Sequence, residues 1–318
     1  MAQAPAHCSA PAACLGAGRF ARELCSSPAS RLASSDFPSR SNSAVHRRNR
    51  LPQAHAYSHL VDPFALLASP YGRPYRPQDR YPDSHLTPDL IRMVLNIVAE
   101  PALWLEVGSF VGSSAVTTAA TLKASNLTTG VVCIDPFTGM VDMWSTRKAF
   151  RAKKGLGSRN AGMSVPDGLL MMDEYGHSRI YEQFLANVHG AGHEDIILPI
   201  RIGSLAGMRL LSRLERERQL GSLPQVIYLD SAHEQDETWL EVREAWRILD
   251  RPGVLFGDDW SWPGVRADVT MFVRELQLRN FSEEEMKRLG RLSQSAKQPL
   301  PGLLLVNEGD GTWLLVKE

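Results

Sequence analysis

Charge of one sign, paired cysteines, membrane-length apolar runs and internal repeats are all missing from this chain, and each absence excludes something. Lys plus Arg and Asp plus Glu number 35 each, so no global field draws the protein to nucleic acid or to an anionic membrane. No apolar run approaches the roughly 18–20 residues of a bilayer-spanning helix, so no membrane span is expected. Of the four cysteines, Cys8, Cys14 and Cys25 lie near the N-terminus and Cys133 stands alone beyond them. A single cysteine makes no intramolecular disulfide, which fits a reducing compartment. It sits in the apolar run Val131-Val132-Cys133-Ile134 and reads as a small core residue rather than a nucleophile. Acids are nearly absent from residues 1–55, where Glu23 and Asp36 face seven arginines. Arg- and Ser-rich, acid-poor composition marks a mitochondrial or plastid transit peptide, and the lack of an apolar h-region speaks against a secretory signal. The alternatives are a disordered tail or a misplaced gene start. A chain without import would be cytoplasmic.

What is present begins with a Pro-, Tyr- and Arg-rich extended arm over residues 56–87, whose prolines exclude regular helix or sheet. A helix is expected from Thr87-Pro88, with Thr87 as N-cap, Pro88 in the first turn and Asp89 at the positive dipole end. The organising stretch follows. Leu103 to Val107 reads as a buried strand, Gly108 to Gly112 as a turn, and a Ser/Ala/Val/Thr-rich helix starts near Gly112. Val131–Ile134 is a second buried strand ending at Asp135. Strand, glycine turn, helix, strand and acid make a βαβ unit. Residues 140–179 interrupt the alternation and are expected to form a lid, rich in basic residues and holding Trp144 and Phe150. Three more strands are expected at 196–202, 225–230 and 254–256, with helices between them, the one over 236–249 turning Trp239, Leu240, Val242, Ala245, Trp246 and Leu249 inward, and another helix over 268–278. Leu303–Val306 and Trp313–Val316 read as an antiparallel hairpin.

A strand running through glycines into a helix offers free backbone N–H groups to a ligand that the glycines let approach. The dinucleotide fingerprint Gly-x-Gly-x-x-Gly is not met, because Glu106 stands at the first glycine position. A carboxylate there opposes pyrophosphate and suits a ligand with a positive end. The bland alternative is a turn that only packs. At the end of the second strand Asp135 is placed to accept ribose hydroxyls, or is merely a solvated strand-end acid.

These residues resemble the class I S-adenosylmethionine-dependent methyltransferases over roughly residues 88–318. The resemblance rests on Leu105-Glu106-Val107-Gly108 with Gly112, Ile134-Asp135-Pro136-Phe137, Tyr228-Leu229-Asp230-Ser231-Ala232-His233 and Pro252 to Trp260. It implies an α/β fold: a doubly wound, mostly parallel, seven-stranded sheet ending in an antiparallel hairpin. It also assigns the loop holding Gly108, Ser109, Gly112 and Ser113, with Glu106, to the methionine half of S-adenosylmethionine. Asp135 and Asp230 would flank the cofactor and Ser204 would contact its adenine, unless Ser204 only caps the following helix. The Asp-x-x-His after the fourth strand and Gly-Asp-Asp-Trp after the fifth look most like small-molecule O-methyltransferases.

Asp230, Asp258 and Asp259 end neighbouring strands and should meet in one crevice. Like charges held together call for a cation, most simply Mg²⁺ with oxygen ligands. Similar metal-dependent enzymes use such a site to chelate the acceptor hydroxyl and lower its pKa. Alternatively one of the pair caps the next turn or pairs with the lid. His233, three residues past Asp230, is the candidate general base, or a helix-entry histidine bonded to Asp230 or Glu234. Glu234, Asp236 and Glu237 read as solvated first-turn acids. In the lid, Trp144 and Phe150 could line an acceptor pocket and Arg147, Lys148 and Arg151 grip an anionic acceptor, or the basic run is a solvated face. Trp260 and Trp262 wall the crevice or belong to the core. The expectation is methyl transfer to a small-molecule hydroxyl. An NAD-type oxidoreductase and a non-catalytic cofactor-binding or interaction protein are the rivals. Oligomeric state is not legible.

Overall fold

A computed structural model describes residues 86–139, 178–292, 296–306 and 311–318. All lie in the second of the two units of the chain, residues 51–318. The expected tail (1–55), nearly all of the Pro-rich arm, residues 140–177 of the lid and the tip of the final hairpin lie outside the described residues. Trp144, Arg147, Lys148, Phe150 and Arg151 are among them.

In chain order the elements are α1 (Pro88–Leu95), β1 (Leu103–Val107), α2 (Ser113–Ala124), β2 (Gly130–Asp135), α3 (Ile180–Ala191) and β3 (Ile197–Arg201). Then come α4 (Ser204–Arg216), β4 (Val226–Leu229), α5 (Glu237–Ile248), β5 (Gly253–Gly257) and α6 (Pro263–Leu276). The chain closes with α7 (Glu283–Leu292), β6 (Ala296–Leu300), β7 (Leu303–Val306) and β8 (Thr312–Lys317). Helix α1 starts as its residues require: the Leu90 N–H donates to the Thr87 hydroxyl at 3.2 Å and Pro88 occupies the first turn. Helix α6 begins five residues before the expected Asp268, at Pro263, again because proline suits the first helical position.

The strands form one sheet in the order β3-β2-β1-β4-β5-β8-β7-β6. β1 to β5 are parallel, and β8, β7 and β6 are antiparallel additions at one edge. The doubly wound sheet and closing hairpin are therefore present, but with eight strands rather than the seven expected. The extra strand is β6, Ala-Lys-Gln-Pro-Leu, half exposed and with a register shift against β7. It has neither apolar alternation nor a turn signature, and only an edge tolerates its proline.

Each face of the sheet carries its own apolar layer, as parallel strands covered by helices require. Trp104, Cys133, Tyr228 and Phe256 pack with Ile91 and Val94 of α1, Ala115 and Leu122 of α2, and Phe184 of α3. Leu103, Leu105, Ile227 and Leu255 pack with Leu211 of α4, Val242 and Ala245 of α5, and Phe272 of α6. Cys133 is fully buried in the first layer, in keeping with a core role.

The order reverses at β1: β2 and β3 lie to one side, β4 and β5 to the other. The crevice beyond the carboxyl ends of β1 and β4 is the switch point, where open α/β sheets take their ligands. Two turns meet there. Gly108 has φ +86°, and a Cβ on it would stand 2.0 Å from the Asp230 carbonyl oxygen and 2.8 Å from the Ser231 Cα. The Asp230 N–H in turn donates to the Val107 carbonyl at 2.9 Å. The glycine is thus demanded by the neighbouring backbone. Gly192, the C-cap of α3, shares the left-handed conformation at φ +71° but meets nothing within 4 Å. Gly192→Ala should cost only the backbone penalty, about 1–2 kcal/mol, while Gly108→Ala should cost on the order of 4 kcal/mol or more, because the backbones must part. Thermal melts of the two variants measure the difference; equal losses would contradict the packing assigned to Gly108.

Candidate active site

A cavity of about 570 Å³ opens at the switch point. Its walls come from the turn after β1 (Gly108 to Ser114), the end of β2 (Ile134 to Pro136, with Gly139), the start of α4 (Gly203 to Leu205), the loop after β4 (Asp230 to His233), and α5. Gly108, Ser109, Ser113, Asp135, Ser204, Asp230 and His233 therefore gather in one space, while Glu106 and Gly112 are not among its lining residues.

The turn after β1 is tied down from inside the protein. The Asp135 carboxylate accepts the Ser109 and Phe110 N–H groups on Oδ2, both at 2.8 Å, and the Phe137 N–H on Oδ1 at 2.5 Å. The Asn187 side chain donates to the Val111 carbonyl at 2.8 Å. Gly112, at φ +90°, caps α2 with the Phe184 ring 3.0 Å from where its Cβ would be. Two expectations change here. The N–H groups of Ser109 and Phe110 are not free for a ligand, because Asp135 takes them. The glycines, too, answer to protein backbone and a buried ring. Burial pushes the Asp135 carboxyl up from its ordinary value, and its three backbone donors oppose that.

Glu106 stands behind the cavity wall and is fully buried. The Ser114 hydroxyl donates to its Oε1 at 2.8 Å, while Oε2 has no partner. Burial pushes its pKa up to about 8; the Asp230 and Asp135 charges add to this, and the Ser109 and Ser114 hydroxyls oppose it. A raised carboxyl stabilises the fold below its ordinary pKa, near 4.5, and loses that contribution as pH rises towards 8. Melting temperature should therefore fall between pH 5 and 8, and Glu106→Gln, which cannot ionise, should flatten part of that fall. Identical pH slopes in the two proteins would show that Glu106 ionises freely.

Between β4 and β5 the carboxylates divide their work. Strand β5 ends at Gly257, and Asp259 takes a left-handed φ of 58°, which separates the directions of the two adjacent acids. The Asp258 carboxylate accepts the Asp259 N–H at 2.8 Å and lies 3.5 Å from the buried Tyr228 hydroxyl. Asp259 instead pairs its Oδ2 with His233 Nε2 at 2.5 Å, and the imidazole rests against Trp262 with ring centres 5.0 Å apart. Asp230 accepts the Tyr228 hydroxyl at 3.1 Å. The trio whose ligand atoms fall within 4.8 Å of one another is Asp230, His233 and Asp259, so His233 takes the place in the group that was expected for Asp258. Burial pushes the Asp230 pKa up to about 7, aided by the Asp258 and Asp259 charges and opposed by His233 and Tyr228. Burial alone would lower the His233 pKa, but the bond to Asp259 and the charges of Asp259, Asp230 and Glu241 outweigh it and raise it. Trp260 and Trp262 are both partly buried against the core, Trp262 also resting on the His233 ring, and neither is among the residues that line the cavity.

Helix α5 supplies what the sequence reading missed. Its inner stripe runs Thr238, Glu241, Val242, Ala245, Ile248, so Glu241 is buried and lines the cavity, while the expected core residue Leu240 is 50% exposed. The Ser231 hydroxyl donates to Glu241 at 2.7 Å. Glu237, read as a solvated first-turn acid, also lines the cavity. The available signal was an acid at an i, i+3, i+4, i+7 apolar position.

Taken together, the fold and site define an α/β domain with a nucleoside-sized pocket at its switch point. The pocket walls carry Asp135, Asp230, Glu237 and Glu241 and, among the described lining residues, no Lys or Arg. Residues 105–260 match the family model described as a methyltransferase domain, a span that contains every one of these groups. No curated protein matches the sequence. Among solved structures the chain is similar to cofactor-bound Rv0187 from MTB, at 15% identity, TM-score 0.39, covering 74% of this chain and 82% of that one. It is also similar to the O-methyltransferase TomG from Streptomyces achromogenes, involved in tomaymycin synthesis and in complex with SAM (13% identity, TM-score 0.37, 73% and 79% covered). A third is the O-methyltransferase from Bacillus cereus in complex with SAH (14% identity, TM-score 0.37, 74% and 83% covered).

Proposed function

We propose that this protein transfers the methyl group of S-adenosylmethionine to a hydroxyl of a small molecule. The observation that carries the reading is the charge of the cavity: four carboxylates line it, with no Lys or Arg among the described lining residues. Such walls attract a ligand bearing a sulfonium and an ammonium and repel a pyrophosphate. The occupied N–H groups of Ser109 and Phe110 speak against a dinucleotide in the same way, since pyrophosphate is bound by those groups at a helix start. This disfavours the NAD-type alternative.

In this reading the turn from Gly108 to Ser113 and the Asp135 carboxylate hold the donor, and binding energy brings the acceptor oxygen into line with the methyl group. His233 stands at the cavity wall and removes the acceptor's proton. Asp259 orients the imidazole through Nε2, leaving the other ring nitrogen for the proton. Asp230, beside them, adds negative charge that stabilises the imidazolium so formed. A second reading is favoured by the closeness of the ligand atoms of Asp230, His233 and Asp259. Two carboxylates and an imidazole are a donor set that fits a divalent cation, which would polarise the acceptor oxygen.

Titration of the full chain with S-adenosylhomocysteine and with NAD tests the donor. Binding of the first in the micromolar range and none of the second is expected; the reverse would overturn the proposal. The acceptor chemistry is read from the pH profile of methyl transfer. A base must be neutral, and His233 is held above its ordinary 6.5, so the acid limb should lie above that value. Asp259→Asn removes the partner that raises it and should move the limb to lower pH, with a rate loss of about tenfold or more. Full activity in a chelator assigns the proton to His233 alone. Loss of activity that Mg²⁺ or Mn²⁺ restores assigns the activation to a cation.

A further inference from the structure

Helix α5 opens without a cap of its own. Asp236 stands at its N-cap position with φ +71° and its side chain makes no capping hydrogen bond, although the first N–H groups of a helix need acceptors. The acceptor comes from the next helix. Asp268 Oδ2 takes the Trp239 N–H at 3.0 Å, and the same carboxylate takes a backbone hydrogen bond from Asp236. Asp268 is only 1% exposed, on the inner stripe of α6 that otherwise runs Val265, Val269, Phe272, Val273. An acid in such a stripe costs stability unless donors meet it, and the N–H groups at the start of α5 are those donors. One turn earlier α6 touches the same segment. A Cβ on Gly264 would stand 2.7 Å from both the His233 carbonyl oxygen and the Gln235 nitrogen, and the Trp262 ring lies on the His233 imidazole with ring centres 5.0 Å apart. The Thr238 hydroxyl ties the loop to the helix from within, donating to the Ala232 carbonyl at 2.9 Å. The segment so held, from Asp230 to Glu241, supplies one whole wall of the cavity, while Asp268 itself is not among the lining residues.

Resting on the methyl-donor reading above, we propose that Asp268 is a positioning residue for donor binding: from outside the cavity it fixes the first turn of α5 and, with it, the wall that the donor meets. Without that acceptor the ligand itself has to order the wall, and the apparent affinity falls with the fraction of molecules whose wall is already in place.

The test is calorimetric titration of the full chain and three variants at Asp268 with S-adenosylhomocysteine, well below their melting temperatures, alongside thermal melts. Asp268→Ala removes the acceptor and should weaken binding about five- to tenfold, the scale of a lost helix cap. Asp268→Asn keeps a carbonyl oxygen for the N–H groups of α5 and should bind within about twofold of the wild type. Asp268→Val completes the apolar stripe of α6, so it keeps the measurement open where the alanine variant fails to fold. It should nevertheless bind about as weakly as Asp268→Ala, because it too lacks the acceptor. A merely structural Asp268 gives a different pattern: Asp268→Val binds as the wild type does, and the melting temperature alone responds to the alanine change. That result would overturn the proposal, as would an asparagine variant as weak as the valine one. Failure of the wild type itself to bind S-adenosylhomocysteine would instead overturn the methyl-donor reading, and this inference with it.

Discussion

The Asp135 carboxylate is the point on which the site depends. One side chain at the end of β2 takes the N–H groups of Ser109, Phe110 and Phe137, three donors that a turn and a strand end would otherwise leave without partners in a poorly hydrated crevice. A βαβ unit of this kind usually presents such N–H groups to a phosphate. Here the protein supplies the anion itself, and the consequence is chemical. The turn keeps its shape without a ligand, and it loses its appetite for a dinucleotide's pyrophosphate. One carboxylate thus both rigidifies the turn and narrows the class of cofactor.

Acidic groups gather around that turn with no Lys or Arg among the described lining residues. Glu106, Asp135, Asp230, Glu241 and Asp258 all lie at or just behind the cavity wall, and His233 is the only cationic group facing the cavity among the described lining residues. Burial raises the carboxyls of Glu106, Asp135, Asp230 and Glu241, and neighbouring acids add to the rise at Glu106, Asp230 and Glu241. A site so arranged is costly while empty and gains when a cation enters, because each acid then regains a partner of opposite sign. The same groups that cost the free fold stability would, on the proposed function, become binding energy for a positively charged donor.

The sequence made the scaffold readable because the signals there are local. Apolar runs ending in Gly108, Asp135, Asp230 and Gly257 mark strands buried on both faces, and Thr87-Pro88 marks a helix start, whatever the rest of the chain does. Strand β6 was not readable: Ala296–Leu300 has no pattern of its own and pairs only because β7 offers an edge. In the site, residue types and positions were legible but directions were not. Asp258 and Asp259 are adjacent acids, and only the left-handed turn at Asp259 sends one to His233 and leaves the other against the backbone and near Tyr228. Glu241 was hidden for a related reason. Reading α5 by its largest residues put Trp239, Leu240 and Trp246 inside, whereas the helix turns Thr238, Glu241 and Val242 inward and leaves the tryptophans partly buried.

The contact between Gly108 and the Asp230 carbonyl joins these observations. It fixes the distance between the turn that would hold the donor and the strand end that carries Asp230 and leads to His233. Methyl transfer asks of a protein chiefly that donor carbon and acceptor oxygen be aligned at close range, and a misplacement of about 1 Å costs on the order of a hundredfold in rate. Side-chain contacts across a crevice relax by such amounts easily; two backbones locked together by a residue without a Cβ do not. In the organising stretch, then, glycine does not serve to open the turn to a ligand. It lets β1 and β4 approach until the turn and the strand end that leads to His233 share one rigid frame.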